Sequence, residues 1–140
     1  MEKLIVPGLL DSLSQISAYV MKAANQCSLD KKSVYKLRLA VDEIATNIIL
    51  HGYQEAGRSG DITVKADVNE SKLVIVVEDT GEPYDPTQHH LPSANDLSAS
   101  LDERNAGGLG IYLVLEGVDE FAYQHDGDHN RNIFTMYTNT

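Results

Sequence analysis

The chain has one cysteine, Cys27, in 140 residues, which rules out an intrachain disulfide and a cysteine metal site. No apolar run approaches the ~20 residues that a membrane-spanning helix needs. The N-terminus, MEKLIVPG, has an apolar segment far too short for a signal peptide, so the expected compartment is the cytoplasm. Basic residues are scarce: 11 Lys and Arg stand among 21 Asp and Glu, for a formal net charge of −10. Nucleic acid is therefore a poor partner, because neutralising phosphates takes a clustered basic surface. A basic protein surface suits the acidity better. Internal repeats and low-complexity tracts are missing as well. What is present is a length suited to one domain with a proper core and a hydrophobic content of 42%, ordinary for a globular chain.

The stretch from Val34 to Tyr53, VYKLRLAVDEIATNIILHGY, organises the rest. At 100° per residue Leu37, Val41, Ile44 and Ile48 form one apolar stripe, and Leu39 and Leu50 a second. Glu43 and Asn47, one turn apart, fall between the stripes and away from the face of Tyr35, Arg38 and Asp42. A carboxylate and a carboxamide aimed inward are costly without partners, which suggests a cleft with something in it. Chemically, Glu can take a proton and Asn can offer its carbonyl oxygen to a hard cation such as Mg²⁺. Polar pairs spaced i,i+4 are also common on solvated faces, so this helix alone leaves both readings open.

In chain order, Lys3 to Val6 reads as a short strand closed by Pro7-Gly8, and Leu9, Leu13, Ile16, Val20 and Ala24 recur at helical spacing. Asn25 to Lys32 is a polar break. The central helix is expected to run to His51, with Gly52 as a left-handed cap. After the polar linker Gln54 to Gly60, Ile62, Val64, Ala66 and Val68 alternate with Thr63, Lys65 and Asp67, the period of a half-buried strand. A turn at Asn69 to Lys72 leads into Leu73 to Asp79, apolar on both faces until Glu78 and Asp79; this predicts a central strand that delivers an acid to the sheet edge.

Thr80 to Ala106 holds three prolines and one short helical pattern around Ala94 to Arg104; a segment this long suits a lid or binding loop. Gly107, Gly108 and Gly110 open a helical stretch from Leu109 to Leu115, which would turn backbone N–H groups and the positive end of the helix dipole towards an anion. Alone, such a glycine cluster serves a tight turn more often than a phosphate. Glu120 to His125 and Arg131 to Tyr137 read as a closing hairpin. Its turn, Asp126-x-Asp128-x-Asn130, lacks the glycine and the acid that a calcium loop requires, and the five histidines show no metal-ligand spacing.

Order adds what single motifs lack: a Glu-x-x-x-Asn helix, a strand ending Asp-x-Gly, a long loop, then Gly-Gly-x-Gly opening a helix. In this order the chain resembles the GHKL ATP-binding fold of gyrase-type ATPases, heat-shock ATPases and histidine kinases. It is most similar to the branch of anti-sigma-factor serine/threonine kinases that regulate sporulation and general-stress sigma factors. LAVDEIATNIILHGY resembles that branch's N box, VVEDTGEPYDP its first glycine box, LDERNAGGLGIYLV its lid end and second glycine box, and NRNIFTM its last strand.

The resemblance implies an α+β fold, a two-layer sandwich of a mostly antiparallel sheet covered on one face by helices, as a single domain over 1–140 with a lid at about 82–106. It implies that Glu43 is the general base and that Asn47 binds Mg²⁺ on the phosphates of ATP. Asp79 would accept from the adenine 6-amino group, and Gly81 would let the base lie close to the backbone. Gly107, Gly108 and Gly110 would cradle the phosphates. Arg104 would reach a phosphate or the protein substrate, and Thr135 would close the adenine pocket from the last strand. The implied activity is ATP-dependent phosphorylation of an anti-sigma-factor antagonist on Ser or Thr, with a sigma factor as a further partner. A homodimer is compatible with the resemblance, and no nucleic acid or membrane contact is expected. The alternative is a non-catalytic ATP-binding module that acts by holding a partner.

Overall fold

The computed structural model describes residues 1–88 and 116–138. Five antiparallel strands form one sheet in the order β1-β2-β3-β5-β4, with β1 Leu4–Pro7, β2 Asp61–Val68, β3 Lys72–Asp79, β4 Glu120–Asp126 and β5 His129–Tyr137. Among the described residues two helices, α1 Leu13–Ala24 and α2 Lys31–Asn47, cover one face. This is the two-layer α+β sandwich that the resemblance implies.

The covered face follows from the strand period. Ile62, Val64 and Ala66 of β2, Leu73, Ile75 and Val77 of β3, and Phe134 and Met136 of β5 alternate inward. They meet Ile16, Val20 and Ala23 of α1 and the Leu37–Val41–Ile44 stripe of α2. β3 is the middle strand, paired with β2 on one side and β5 on the other, which is why its other face, Val74 and Val76, is also half-buried. Burying a Val, Leu or Ile side chain contributes roughly 1.5–3 kcal/mol, so this two-sided stripe is the main anchor for the acids at the strand's end.

Three boundaries differ from the sequence expectation. Leu9 does not join the first helix: a short 3₁₀ turn, Leu10–Ser12, precedes α1, with the Ser12 hydroxyl donating to the Pro7 carbonyl at 2.7 Å, and Leu9 is left 60% exposed. α2 starts earlier than its apolar stripe suggests, because the Asp30 side chain caps it by accepting from the Ser33 N–H at 2.7 Å.

The largest difference concerns Gly52. The helix does not stop at His51; it continues as a wider π-helical segment, Ile48–Gln54, seen in the Glu55 N–H bonding the Leu50 carbonyl five residues back. Gly52 is not a left-handed cap, and the left-handed glycine that follows this helix is Gly57, at φ 68°. Wider turns of this kind often mark functional sites. Here the widened turn aims Gly52 and Tyr53 at the end of β3. Most of the expected lid, the short helix at 94–104 and the helix at 109–115 lie outside the described residues. No helix among the described residues is long and apolar enough to cross a membrane.

Candidate functional site

Strand alternation separates the two acids at the end of β3. Glu78 lies on the open face and accepts from Lys65 Nζ at 2.9 Å and Arg131 Nε at 3.3 Å. Burial works to raise its pKa, and the two cations more than offset this, so the carboxyl titrates below its ordinary value. Asp79 turns to the core face and is 4% exposed. Burial pushes its pKa up, against the Gly81 N–H, the Asn130 amide and the nearby histidines. Its Oδ1 accepts from Gly81 N at 2.9 Å and Asn130 Nδ2 at 3.0 Å. Its Oδ2 receives no hydrogen bond from a described residue.

Asp79 stands in the wall of a hollow between α2 and the ends of β3 and β5. Ile44, Asn47, Ile48 and Gly52 form the helical side, Glu82, Tyr84 and Pro86 the rim after β3, and Asn130 and Asn132 the β5 side. Asn132 is 3% exposed, and its Oδ1 has no hydrogen-bond partner among the described residues. An orphaned buried acceptor costs roughly 1–3 kcal/mol, and Asp79 and Asn132 both line the hollow, so a ligand with N–H groups has acceptors to satisfy there. The apolar wall of Ile44 and Ile48 suits the flat faces of a base. A purine with an exocyclic amino group fits both requirements.

The floor is held by close backbone packing. A Cβ at Gly81 would lie 2.8 Å from the Gly52 carbonyl oxygen and 2.9 Å from its carbon; only glycine permits that approach, which the Glu82 N–H to Gly52 O bond of 2.9 Å completes. Tyr53, buried at 2% exposure, donates to the Asp61 carbonyl at 2.6 Å and accepts from Thr80 N–H at 2.9 Å. The residues on either side of Gly81 are therefore tied to the π-helical turn.

The site residues expected from sequence fall into three groups. Asn47 and Asp79 line the same hollow, and Gly81 is buried directly behind it. Glu43 lies one turn before Asn47 on α2, half-buried, with no hydrogen bond to a described residue and outside the hollow's lining. Arg104, Gly107, Gly108 and Gly110 lie outside the described residues. Thr135 requires a correction. It pairs with Val74 and Glu120, and its parity sets it on the sheet face opposite Asn130, Asn132 and Phe134, so it cannot close the pocket.

Three contributors were missed. For Asn132 the signal was present, because counting by twos from the core residues Phe134 and Met136 leads back to it. In the sequence Asn130 reads only as part of a turn, and Tyr53 only as a helix end. Asp42, expected on the outward face, is half-buried, and its Oδ1 has no hydrogen-bond partner among the described residues; burial pushes its pKa up, with Arg38 opposing.

Comparison with known proteins adds a family and relatives. Residues 6–138 match the histidine kinase-like ATPase domain. The chain is 29% identical over 128 residues to the serine-protein kinase RsbW of Bacillus subtilis, covering 87% of this chain and 77% of that protein. It is 27% identical over 124 residues to the serine-protein kinase RsbW of Staphylococcus aureus, covering 87% and 78%. Among solved structures, the histidine kinase AdeS of Acinetobacter baumannii superposes with a TM-score of 0.55 over 100% of this chain and 70% of that one, at 9% identity, a likeness of fold alone.

Proposed function

The chain belongs to the histidine kinase-like ATPase domain family, and on that footing we propose that it is an ATP-dependent protein serine/threonine kinase acting as an anti-sigma regulator. Its phosphoacceptor is a Ser or Thr of an anti-sigma-factor antagonist, a sigma factor is a further partner, and the setting is the cytoplasm. The observation that carries the nucleotide half is that Asp79 Oδ2 and Asn132 Oδ1 accept no hydrogen bond from a described residue, while both side chains line a hollow flanked by Asn47. The names of both kinase relatives support the protein-substrate half.

In this reading the adenine 6-amino group donates to Asp79 while the base lies against Ile44 and Ile48. Asn47, at the helical rim of the hollow, faces the phosphates. A single carboxamide is a sufficient protein ligand for magnesium, which takes most of its oxygens from phosphates and water; no cluster of three or more acidic, His or Cys groups exists among the described residues. When bound, the ion supplies charge neutralisation along the phosphate chain. Gly107, Gly108, Gly110 and Arg104 are assigned to the phosphates by motif.

Phosphoryl transfer asks a protein mainly for positioning and charge stabilisation. Glu43, one turn from Asn47, accepts the proton of the incoming hydroxyl. Labelled ATP mixed with the antagonist tests the proposal: label should pass to a Ser or Thr, and its absence from every acceptor would count against a kinase. Glu43→Ala should abolish transfer and keep nucleotide binding; regulation that persists in this variant would favour a holding module instead.

A further inference from the structure

Asn130 uses its whole hydrogen-bonding capacity in one place. Its Nδ2 donates to Asp79 Oδ1 at 3.0 Å and to the Gly81 carbonyl at 3.0 Å. Its Oδ1 accepts from the Tyr123 hydroxyl at 2.5 Å and pairs with His125 Nδ1 at 2.9 Å. A carboxamide has two donor hydrogens and two acceptor sites, and all four are engaged. The arrangement also fixes the orientation of the amide, because turning it over would set its oxygen against the Asp79 carboxylate and the Gly81 carbonyl. With Nδ2 so placed, His125 must carry its proton on Nδ1.

Each link crosses between elements. Tyr123 and His125 belong to the edge strand β4, Asn130 to β5, and Asp79 to the end of β3. Asn130 is 2% exposed, so its bonds to Asp79 and Gly81 are shielded from water, while the links to Tyr123 and His125 are part-buried at the sheet edge. Asp79 is thus gripped by one oxygen: Gly81 N–H and Asn130 Nδ2 both hold Oδ1. Two donors on one oxygen restrain the carboxylate's rotation, and so narrow the direction of its other oxygen.

We propose that Asn130, held by Tyr123 and His125, is the positioning residue that turns Asp79 Oδ2 towards the ligand and so sets the preference for a 6-amino purine over a 6-oxo purine. It rests on the nucleotide reading above. A 6-amino group donates to a fixed carboxylate oxygen, whereas a 6-oxo group meets it acceptor to acceptor. A carboxylate free to rotate discriminates less, because it pays an ordering cost before it can accept the hydrogen bond. Tyr123 and His125 act through Asn130 and need not touch the ligand.

The test compares the binding of Mg-ATP and Mg-inosine triphosphate by titration calorimetry on the full chain, wild type beside Asn130→Ala and Tyr123→Phe, with circular dichroism to follow the fold. The wild type should prefer ATP by at least about tenfold, and Asn130→Ala should lose about tenfold in ATP affinity while its inosine triphosphate affinity stays within about twofold. Tyr123→Phe, which deletes one hydroxyl and keeps the ring, should show a smaller loss of the same selective kind; it also serves if Asn130→Ala does not fold. Equal losses for both nucleotides in a folded variant, or no loss for either, would overturn the assignment of Asn130 and leave the nucleotide reading standing. A wild type that binds neither nucleotide would overturn both.

Discussion

Gly52 and Gly81 meet backbone to backbone, yet the contact is one-sided, and this gives a sharp test of the site's construction. A Cβ on Gly81 would sit 2.8, 2.9 and 3.1 Å from the Gly52 carbonyl oxygen, its carbon and Cα. None of these atoms is the end of a flexible side chain, so the backbone itself must move, and forced overpacking of this kind costs about 1–3 kcal/mol. The same movement strains the Glu82 N–H to Gly52 O bond and the Gly81 N–H grip on Asp79. A Cβ on Gly52 meets nothing nearer than 3.8 Å, and its φ is not positive. Gly52→Ala should therefore leave stability unchanged or raise it by up to about 1 kcal/mol, since alanine loses less backbone entropy in a helical turn. For a domain of this size each kcal/mol moves Tm by roughly 3–5 °C. Calorimetric melts of the two variants should diverge, Gly81→Ala falling and Gly52→Ala holding or rising. Equal losses, or a Gly81→Ala protein that melts with the wild type, would refute the packing argument.

Asp79→Asn should keep or raise the stability of the unliganded protein at neutral pH while weakening ATP binding at least about tenfold, because it removes a buried charge and turns an acceptor into a donor. The sign with pH follows from the raised pKa of Asp79: the native state holds this proton more tightly than the unfolded chain. The wild type therefore gains on Asp79→Asn as pH falls through the raised value and loses that gain as pH rises through it, so chemical denaturation across the acid range should show the gap closing towards low pH. Tyr53→Phe leaves the Thr80 N–H and the Asp61 carbonyl without their partner and should cost roughly 1–3 kcal/mol in urea unfolding. Asn47→Ala removes a side chain with no hydrogen bond to a described residue; its melt should match the wild type, and the loss should show in magnesium-dependent ATP affinity.

Much of the fold was legible because its core is written in two clean periods. The two-residue alternation of Ile62 to Val68 and the 4-3-4 spacing of Leu37, Val41, Ile44 and Ile48 each match the observed buried face. Leu9 misled because it continues a helical spacing into a segment where Ser12 bonds back to Pro7 and tightens the chain. Gly52 misled because glycine after a helix usually serves as a cap, whereas here the chain runs on through Gly52 as a π-helical turn and the left-handed conformation comes later, at Gly57. The motif points to Thr135, whereas strand parity sets it on the far face. The network at Asn130 was not legible, because its partners Tyr123, His125 and Asp79 lie 7, 5 and 51 residues away along the chain and only strand pairing brings them together.

The most direct measurement is a crystal structure with a non-hydrolysable Mg-ATP analogue. The account predicts the adenine amino group within hydrogen-bond distance of Asp79 Oδ2, the base against Ile44 and Ile48, and the phosphates running past Asn47. A nucleotide seated elsewhere, such as the groove between α1 and α2 lined by Met21, Cys27, Val34 and Arg38, would contradict it.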